Sequence, residues 1–218
     1  MEEYATMKLD PPMILPESQL THYSETGRRP PDEDEFEGCL CDGVIAPYEK
    51  LYSREFRGCV FRKCTLTDID FTRAGFVDVV FDHCDLSRCN FETAVFNRVT
   101  FDTCRLSAAE MVKALLRCVR MTGCKADFAN LHEAKLDRVV LTDCILTEAA
   151  LEALNARQLA FDGCALPRAS LFRTPMKGID MTTCTLDGIL VNLPDLRGMI
   201  VSPTQAMDLS KLVGLVVK

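Results

Sequence analysis

The chain has 218 residues, of which 48% are hydrophobic, and a formal net charge of −7. This length and composition exclude a wholly disordered chain and allow one large apolar core. No stretch approaches the roughly 18 apolar residues of a membrane-spanning helix, and the first ten residues lack a cationic and apolar signal sequence. We therefore expect a cytoplasmic protein that has no membrane span.

The excess of acidic residues lies at the N-terminus. Residues 1–50 contain 12 acidic and 4 basic residues, whereas residues 51–201 contain 19 of each. Prolines and charge runs predict that residues 1–33 form an extended acidic N-terminal arm. Two interpretations of this arm stay open: it is a solvated tail or cap, or it binds a basic surface.

A period of five residues follows the arm. From Leu51 to Val201 every fifth residue is apolar, which gives 31 consecutive positions without a change of phase. A small or medium-sized residue lies two positions before most of them. Each unit therefore has two inward residues separated by an outward one, as in an extended chain, and two further outward residues that turn a corner. Neither an α-helix nor a flat strand has a period of five.

A second period, of twenty residues, shows that four units close one coil. Equivalent residues then stack in columns about 4.8 Å apart, as parallel ladders with an apolar interior. Weaker units around Phe36 and Cys41 place the first coil near residue 34, so the predicted solenoid covers residues 34–201. The most regular column is formed by seven cysteines, Cys64, Cys84, Cys104, Cys124, Cys144, Cys164 and Cys184.

Two segments of the solenoid are rich in helix-forming residues, 107–118 and 147–158. Either segment is compatible with a short helix inserted at a corner. Both keep the five-residue phase, however, at Met111, Leu116 and Leu151. We therefore predict continuous coil in both segments.

The repeated units resemble those of the pentapeptide repeat family. The similarity is carried by units such as Phe-Asp-His-Cys-Asp-Leu-Ser at 81–87 and Ala-Asn-Leu-His-Glu at 129–133, and it covers about residues 51–201. It implies an all-β fold, the right-handed quadrilateral β-helix.

Residues 202–218 differ from the repeats and predict a C-terminal helix and tail. Ser202, Pro203 and Gln205 have the pattern of a helix N-terminus with a capping box, and Gly214 is suited to ending the helix. The helix is expected to cap the last coil. It either does only this, or it also joins two copies of the chain as a homodimer, as the family resemblance implies. The predicted dimer residues are Ala206, Leu209, Leu212, Val213, Leu215 and Val217.

The sequence offers little chemistry. Ten of the twelve cysteines fall on small inward positions, all except Cys41 and Cys118, and we interpret them as buried thiols that pack as small apolar groups. There is no paired Cys-x-x-Cys or Cys/His spacing of a zinc site and no nucleotide-binding or hydrolase motif. The sequence therefore predicts no enzyme activity, no catalytic residue, no metal and no cofactor.

Because the phase is known, the outward charges can be assigned to four faces. The Cys face, which follows the inward column of seven cysteines, carries 5 acidic and 4 basic residues. The Glu face carries Asp70, Glu92, Glu110, Glu133 and Glu152, and the Asp face carries Asp82, Asp102, Asp143, Asp162 and Asp180, each against 3 basic residues. The basic face carries Arg98, Arg117, Arg138, Arg157, Lys177 and Arg197, together with Arg57 and Lys135, against 4 acidic residues.

The family resemblance gives these faces a functional interpretation. Qnr-like members bind DNA gyrase or topoisomerase IV and are described as mimics of duplex DNA. The resemblance implies that the Asp and Glu faces are candidate surfaces for a type II topoisomerase. An alternative is a protein–protein scaffold with an unrelated partner. Direct nucleic-acid binding by the basic face is disfavoured, because acidic residues dilute it and no aromatic residues are interleaved with it.

Overall fold

A computed structural model of the protein describes residues 7, 9–24 and 35–216, with the side chain of Val213 left out. Among these residues there are eleven strands, one α-helix and three short 3₁₀ helices. The strands are β1 (Thr21–Ser24), β2 (Glu35–Glu37), β3 (Cys39–Asp42), β4 (Glu55–Arg57), β5 (Val60–Arg62), β6 (Gly75–Asp82), β7 (Val95–Asp102), β8 (Leu115–Thr122), β9 (Lys135–Thr142), β10 (Asn155–Ala156) and β11 (Leu159–Asp162). The α-helix is α1 (Pro203–Ser210), and the 3₁₀ helices are Glu17–Gln19, Leu193–Leu196 and Lys211–Val213.

The coils stack in parallel with an offset of twenty residues. Strands β6 to β9 each run along two adjacent sides of a coil, so that Phe76 pairs with Phe96 and Val79 pairs with Val99. The other two sides are joined by single bridges, such as Asp85 to Arg105 and Asn90 to Glu110. The result is the right-handed quadrilateral β-helix that the sequence predicted.

Both helix-rich segments are continuous coil. Residues 107–114 form turns and bridges, and residues 115–118 begin strand β8. Residues 147–158 also follow the coil, with a bend at residues 157–158 between β10 and β11. Stacking against neighbouring coils therefore overrides the local helix propensity, because each coil buries its inward residues only in this conformation.

Most corners are turned by a residue with a left-handed backbone, two positions after the large inward residue. Arg98, Ala108 and Glu148 have φ angles of 54°, 55° and 54°, and Gly123 and Gly163 occupy equivalent corners. This conformation is unfavourable for residues other than glycine, by roughly 1–2 kcal/mol each. The ladder hydrogen bonds on both sides of the corner hold it in place, for example from Arg88 N to Ser107 O at 2.9 Å.

The inward residues form columns of like side chains. Phe36, Phe56, Phe76 and Phe96 stack with ring centroids 4.9–5.0 Å apart. Two shorter aromatic columns run beside it, Phe61–Phe81–Phe101 and Phe71–Phe91. All twelve cysteines are free and buried. Each thiol of the seven-cysteine column up to Cys164 donates to a backbone carbonyl of the previous coil, as Cys84 Sγ does to Phe61 O at 3.3 Å.

The strand ladder of the basic face ends at Pro175 because proline has no N–H group to donate. In earlier coils the equivalent residue donates to the coil before it, as Asn155 N does to Ala134 O at 3.0 Å. Thr174, which is 1% exposed, takes the place of the small inward alanine. Its hydroxyl donates to Leu151 O at 2.7 Å and accepts from Leu154 N at 3.0 Å. The buried hydroxyl therefore has partners although the sheet stops.

Helix α1 caps the last coil. The Ser202 and Gln205 side chains form the predicted capping box, and Gly214 ends the following 3₁₀ helix with a left-handed φ of 78°. The side-chain amide of Gln205 also donates to the carbonyls of Met181 and Cys184, both at 2.7 Å. Leu209 packs on the core beside it. At eight residues, α1 is the longest helix of the described chain, far below the length needed to span a bilayer.

The N-terminal strap, residues 9–24, covers the first coil and part of one corner. Strand β1 pairs with β3 in parallel, and Leu20 and Tyr23 are buried. Before β1 the strap runs along the solenoid axis, where Met13 N donates to Asp78 Oδ1 at 2.9 Å. Asp10 and Glu17 contact Arg138 and Arg62. The strap therefore lies on the corner between the basic face and the Asp face.

Candidate functional site

The Asp face presents its carboxylates along the solenoid axis. Asp82 and Asp102 are register partners in adjacent coils, at the ends of β6 and β7, and Asp162 ends β11 in the same column. Asp143 occupies a corner with a left-handed backbone, and Asp180 forms a bridge with Ile200. The structure therefore brings all five predicted residues to one side of the solenoid.

Among the described residues, only the first of these carboxylates has a cationic neighbour. Asp82 lies 3.7 Å from Arg62 Nε and 2.5 Å from His83 Nδ1. The other four, Asp102, Asp143, Asp162 and Asp180, have no ion-pair partner in the same part of the chain. The hydroxyl and N–H of Thr182 lower the pKa of Asp180, which keeps its carboxylate charged at neutral pH. The far part of this face is thus negative and uncompensated.

Most acidic side chains of the Glu face already form hydrogen bonds or ion pairs with neighbouring residues. Asp70 accepts from the N–H and hydroxyl of Thr72, and Glu110 accepts from Asn130 Nδ2 at 2.8 Å. The remaining contacts involve Glu133, which is near Lys113 and His132, and Glu152, which accepts from Ser170 and lies near His132. Among the five predicted acidic residues only Glu92 has a side chain without such a contact in the described chain.

The basic face divides into a paired and an unpaired part. Arg98 makes two contacts of 2.6 Å with Asp78, Arg117 lies 3.4 Å from Asp137, and Arg138 lies 3.4 Å from Asp10. The unpaired part consists of the remaining predicted residues. Arg57 pairs with Glu55, and the residues that remain are Lys135, Arg157, Lys177 and Arg197, which are exposed and have no ion-pair partner within the described ranges.

Burial raises the pKa of Asp78, but the hydrogen bonds from Arg98 and from Met13 N–H outweigh this effect and hold the pKa below its usual value. Arg88 likewise lowers the pKa of the half-buried Asp68 through a side-chain hydrogen bond. Both carboxylates are therefore ionised partners of arginines in the next coil.

Sequence reasoning missed these pairings because it counted charges face by face. Arg88 contacts Asp68, Arg98 contacts Asp78, and Arg168 contacts Glu148, each across two adjacent coils. In every case the partners are twenty residues apart in the sequence. Opposite charges spaced twenty residues apart in the sequence would therefore have revealed these ion pairs.

The predicted dimer residues fall into three groups. Ala206, Leu212 and Leu215 are exposed, whereas Leu209 is half-buried against the last coil. Val217 and the side chain of Val213 lie outside the described residues. Sequence reasoning missed Met207, which is 49% exposed, whereas Val216 of the predicted apolar tail is 84% exposed.

Within the described part of the chain, no group of three or more His, Cys, Asp or Glu side chains is arranged to hold a metal ion. The cysteines are instead closed off by packing. Desolvation is the main reason that the pKa values of Cys41 and Cys89 are raised to about 12. Cys118 is also buried, although it occupies a corner rather than an inward position.

The strap accounts for the burial of Cys118. Asp10 and Met13 contact Arg138 and Asp78, which lie on either side of Cys118 in the same corner column. The backbone between these contacts therefore passes over the thiol. This shielding follows from a tertiary contact and not from the five-residue phase, so the repeat pattern alone did not predict it.

Comparison with solved structures shows the same fold. A trypsin-treated point variant of QnrB1, a plasmid-mediated fluoroquinolone resistance protein, aligns with a TM-score of 0.53 and 18% identity, over 84% of this chain and 100% of its own. Full-length QnrB1 aligns with a TM-score of 0.49 and 18% identity, over 81% and 100% of the two chains.

HetL, a pentapeptide repeat protein involved in heterocyst differentiation regulation from the cyanobacterium Nostoc sp. strain PCC 7120, aligns with a TM-score of 0.25 and 14% identity, over 78% and 94% of the two chains. No curated protein matches the sequence. The family model described as "Pentapeptide repeat region" matches residues 54–131 and 94–171, which together cover more than half of the chain. The twenty-residue coils, the stacked apolar columns and this match establish that the chain belongs to the pentapeptide repeat family.

Proposed function

We propose that the protein is a non-enzymatic binding protein whose Asp face binds a type II topoisomerase, DNA gyrase or topoisomerase IV, in place of duplex DNA. The observation that carries the proposal is the set of four carboxylates without cationic partners in the described chain, Asp102, Asp143, Asp162 and Asp180. Topoisomerases bind DNA through basic surfaces, and an uncompensated row of carboxylates is the part of this solenoid most similar to a phosphate backbone. The fold is shared with QnrB1, a fluoroquinolone resistance protein, which supports testing the proposal with quinolones.

The Glu face is a weaker candidate for this role. Three of its acidic residues are held by Lys113, Asn130 and His132, and a partner would have to displace these groups before it could use the carboxylates. Breaking existing hydrogen bonds lowers the net gain from each new contact. We therefore assign topoisomerase binding to the Asp face.

The proposal includes a homodimer formed through the C-terminal segment. Ala206, Leu212 and Leu215 are exposed next to Met207 and Val216, which gives an apolar patch at the end of the solenoid. Soluble proteins rarely leave such a patch bare, and a two-fold contact would bury it on both copies. Two solenoids joined end to end would double the length of the Asp face that a topoisomerase meets.

The test is a supercoiling assay with purified gyrase, with and without a quinolone, repeated with topoisomerase IV. The wild-type protein should change enzyme activity or relieve quinolone inhibition. The double variant Asp102→Asn/Asp162→Asn should weaken the effect several-fold. Asp127→Asn/Asp187→Asn is the matched control, because these residues hold the same position within their units on the Cys face. Equal loss in both variants would contradict the assignment to the Asp face.

The second candidate is a scaffold for an unrelated protein partner. It is favoured by the absence of net charge over residues 51–201 and by the charge pairs between coils, both of which weaken DNA mimicry. No effect on either topoisomerase at saturating protein would exclude the first candidate and favour the scaffold.

A further inference from the structure

Three of the unpaired cations of the basic face form a column. Arg157, Lys177 and Arg197 are twenty residues apart and therefore fall on the same side of three successive coils. Gly178 N donates to Gly198 O at 2.8 Å, one residue later than at the regular corners, so the last coil is joined to the one before it but Arg197 lies beside Lys177 rather than directly over it. At about 4.8 Å per coil, the three cations lie along roughly 10 Å of the solenoid.

The strap shows how this side of the solenoid binds an acidic, extended chain. Asp10 contacts Arg138 and Glu17 contacts Arg62, and between them Met13 N donates to Asp78. The contacts span nearly four coils, from the coil of Arg62 to the coil of Arg138. This segment contains prolines and runs parallel to the axis. It is held by two contacts between a carboxylate and an arginine, and by one backbone N–H group that donates to an aspartate.

The column begins where the contacts of the described strap residues end. Arg157 lies one coil beyond Asp137, the residue that precedes Arg138. The paired cations of the face have partners within the solenoid or the strap, whereas the three beyond them face solvent. The column therefore continues an interface that already binds carboxylates.

We propose that Arg157, Lys177 and Arg197 form a docking site for an extended acidic peptide segment of a partner protein. Carboxylates at every second residue of such a segment lie about 7 Å apart on one side, within reach of three long cationic side chains on successive coils. Arginine is suited to this role because its guanidinium binds carboxylates in a bidentate manner. The site lies on a different face from the carboxylates assigned to topoisomerase binding.

An acidic peptide fits the column better than a nucleic acid does. Asp195 and Asp180 lie in the neighbouring columns, and the net charge of the whole protein is −7, so a long polyanion is repelled outside the column itself. The positions flanking the three cations carry no aromatic side chain on which bases would stack. A short segment that uses only two or three carboxylates avoids both disadvantages.

Fluorescence anisotropy of full-length protein with fluorescein-labelled octaglutamate tests the proposal at low salt. Wild-type protein should bind the probe, and added salt should weaken binding. Arg157→Gln/Lys177→Gln/Arg197→Gln should lower the affinity at least tenfold. The control Arg105→Gln/Arg120→Gln/Lys125→Gln removes three exposed cations from other faces and should retain most of the affinity. Circular dichroism of both variants verifies that they remain folded.

Three results would overturn the proposal. Equal losses in the two triple variants would mean that the probe senses only overall charge. Tighter binding of labelled oligothymidylate (dT20), lost in the first triple variant, would identify the column as a nucleic-acid site. Binding of octaglutamate only after Glu2→Gln/Glu3→Gln would show that the chain itself fills the column and that no partner segment docks there.

Discussion

Phe96 and Leu116 are register partners in neighbouring coils, and the aromatic stack that begins at Phe36 ends between them. The two other aromatic columns end at the same level, where Met111 follows Phe91 and Met121 follows Phe101. An apolar cavity of about 20 Å³ opens directly beyond this change, and Leu116 and Met121 are among its lining residues. The core therefore changes from stacked rings to aliphatic packing within one coil.

We predict that Leu116→Phe stabilises the protein by about 0.5–1.5 kcal/mol. The new ring would extend the stack on Phe96 and fill part of the cavity, and both effects are of this size. Leu86→Phe is the matched control, because Leu86 is fully buried and does not line the cavity. Overpacking should destabilise that variant by about 1–3 kcal/mol. Guanidinium unfolding of both variants measures the difference, and destabilisation by Leu116→Phe would show that the cavity cannot accept a ring.

A second prediction concerns the inward phase. Leu141 is buried at 6% exposure, whereas its neighbour Thr142 points outward from β9 and is half-buried. Leu141→Ala should therefore destabilise the protein by about 2–5 kcal/mol, and Thr142→Ala by less than about 0.5 kcal/mol. Chemical unfolding of the two variants distinguishes these values. Similar losses for both would refute the assigned phase.

A third prediction concerns thiol reactivity. Burial holds the pKa of Cys41 and Cys89 at about 12, so neither thiol should react with a thiol reagent at pH 8 in the native protein, and the remaining buried cysteines should be equally slow. In Asp10→Arg/Met13→Pro, which removes two strap contacts, Cys118 should become the first thiol to react.

Mass spectrometry of labelled peptides identifies the modified cysteine. Glu92→Arg serves as the control, because it reverses a charge on another face without touching the strap. Rapid labelling of Cys118 in the wild-type protein would show that the strap does not shield it.

A fourth prediction concerns pH. The carboxyl of Asp78 has a lowered pKa in the folded protein, so its contribution to stability is present at neutral pH and is lost as the pH falls through the folded value, below about pH 4. At pH 7, Asp78→Asn should destabilise the protein by about 1–3 kcal/mol. The difference from wild type should be constant above about pH 5 and should shrink as the pH falls below about 4. Asp127→Asn should show no such pH-dependent difference in stability from wild type. A stability difference for Asp78→Asn that stays constant with pH would contradict the ion pair.

A fifth prediction concerns the proposed dimer. Light scattering should give the wild-type chain twice its mass of 24.4 kDa at micromolar concentration. Leu212→Asp/Leu215→Asp should give a folded monomer, because it places charges in the apolar patch. Ile45→Asp changes an exposed apolar residue at the opposite end and should remain dimeric. A monomeric wild-type chain would exclude the C-terminal dimer.

The repeat period was sufficient to predict the coil architecture. Once Phe76 and Phe96 were placed in one column, the parallel register and the inward phase followed, and the structure confirms both. The helix-rich segments were predicted correctly for the same reason. A helix propensity of a few tenths of a kcal/mol per residue cannot compensate for the loss of a stacked column of buried apolar side chains. The capping box at Ser202 was also readable, because its residues are adjacent in sequence.

The five- and twenty-residue periods of the sequence do not predict contacts that lie outside the repeats. The strap contacts between Asp10 and Arg138 join residues 128 apart in the sequence, and no pattern links them. The hydrogen bonds of Gln205 to Met181 and Cys184 depend on how the helix docks, which its own sequence does not specify. The sequence predicted Arg157, Lys177 and Arg197 as part of the basic face. Only the structure shows that, unlike Arg98, they have no acidic partner among the described residues.

The offset of twenty residues between stacked positions restricts how such a gene can change in length. Inserting one codon would move every later inward residue to an outward position, so the whole downstream core would be lost. Inserting five codons would keep the inward phase but turn each later residue onto the next side, which would separate any pair that the insertion falls between, such as Asp68 and Arg88. Only insertions or deletions of twenty codons leave the stacks and the ion pairs in place, so chains of this type are expected to grow and shrink by whole coils.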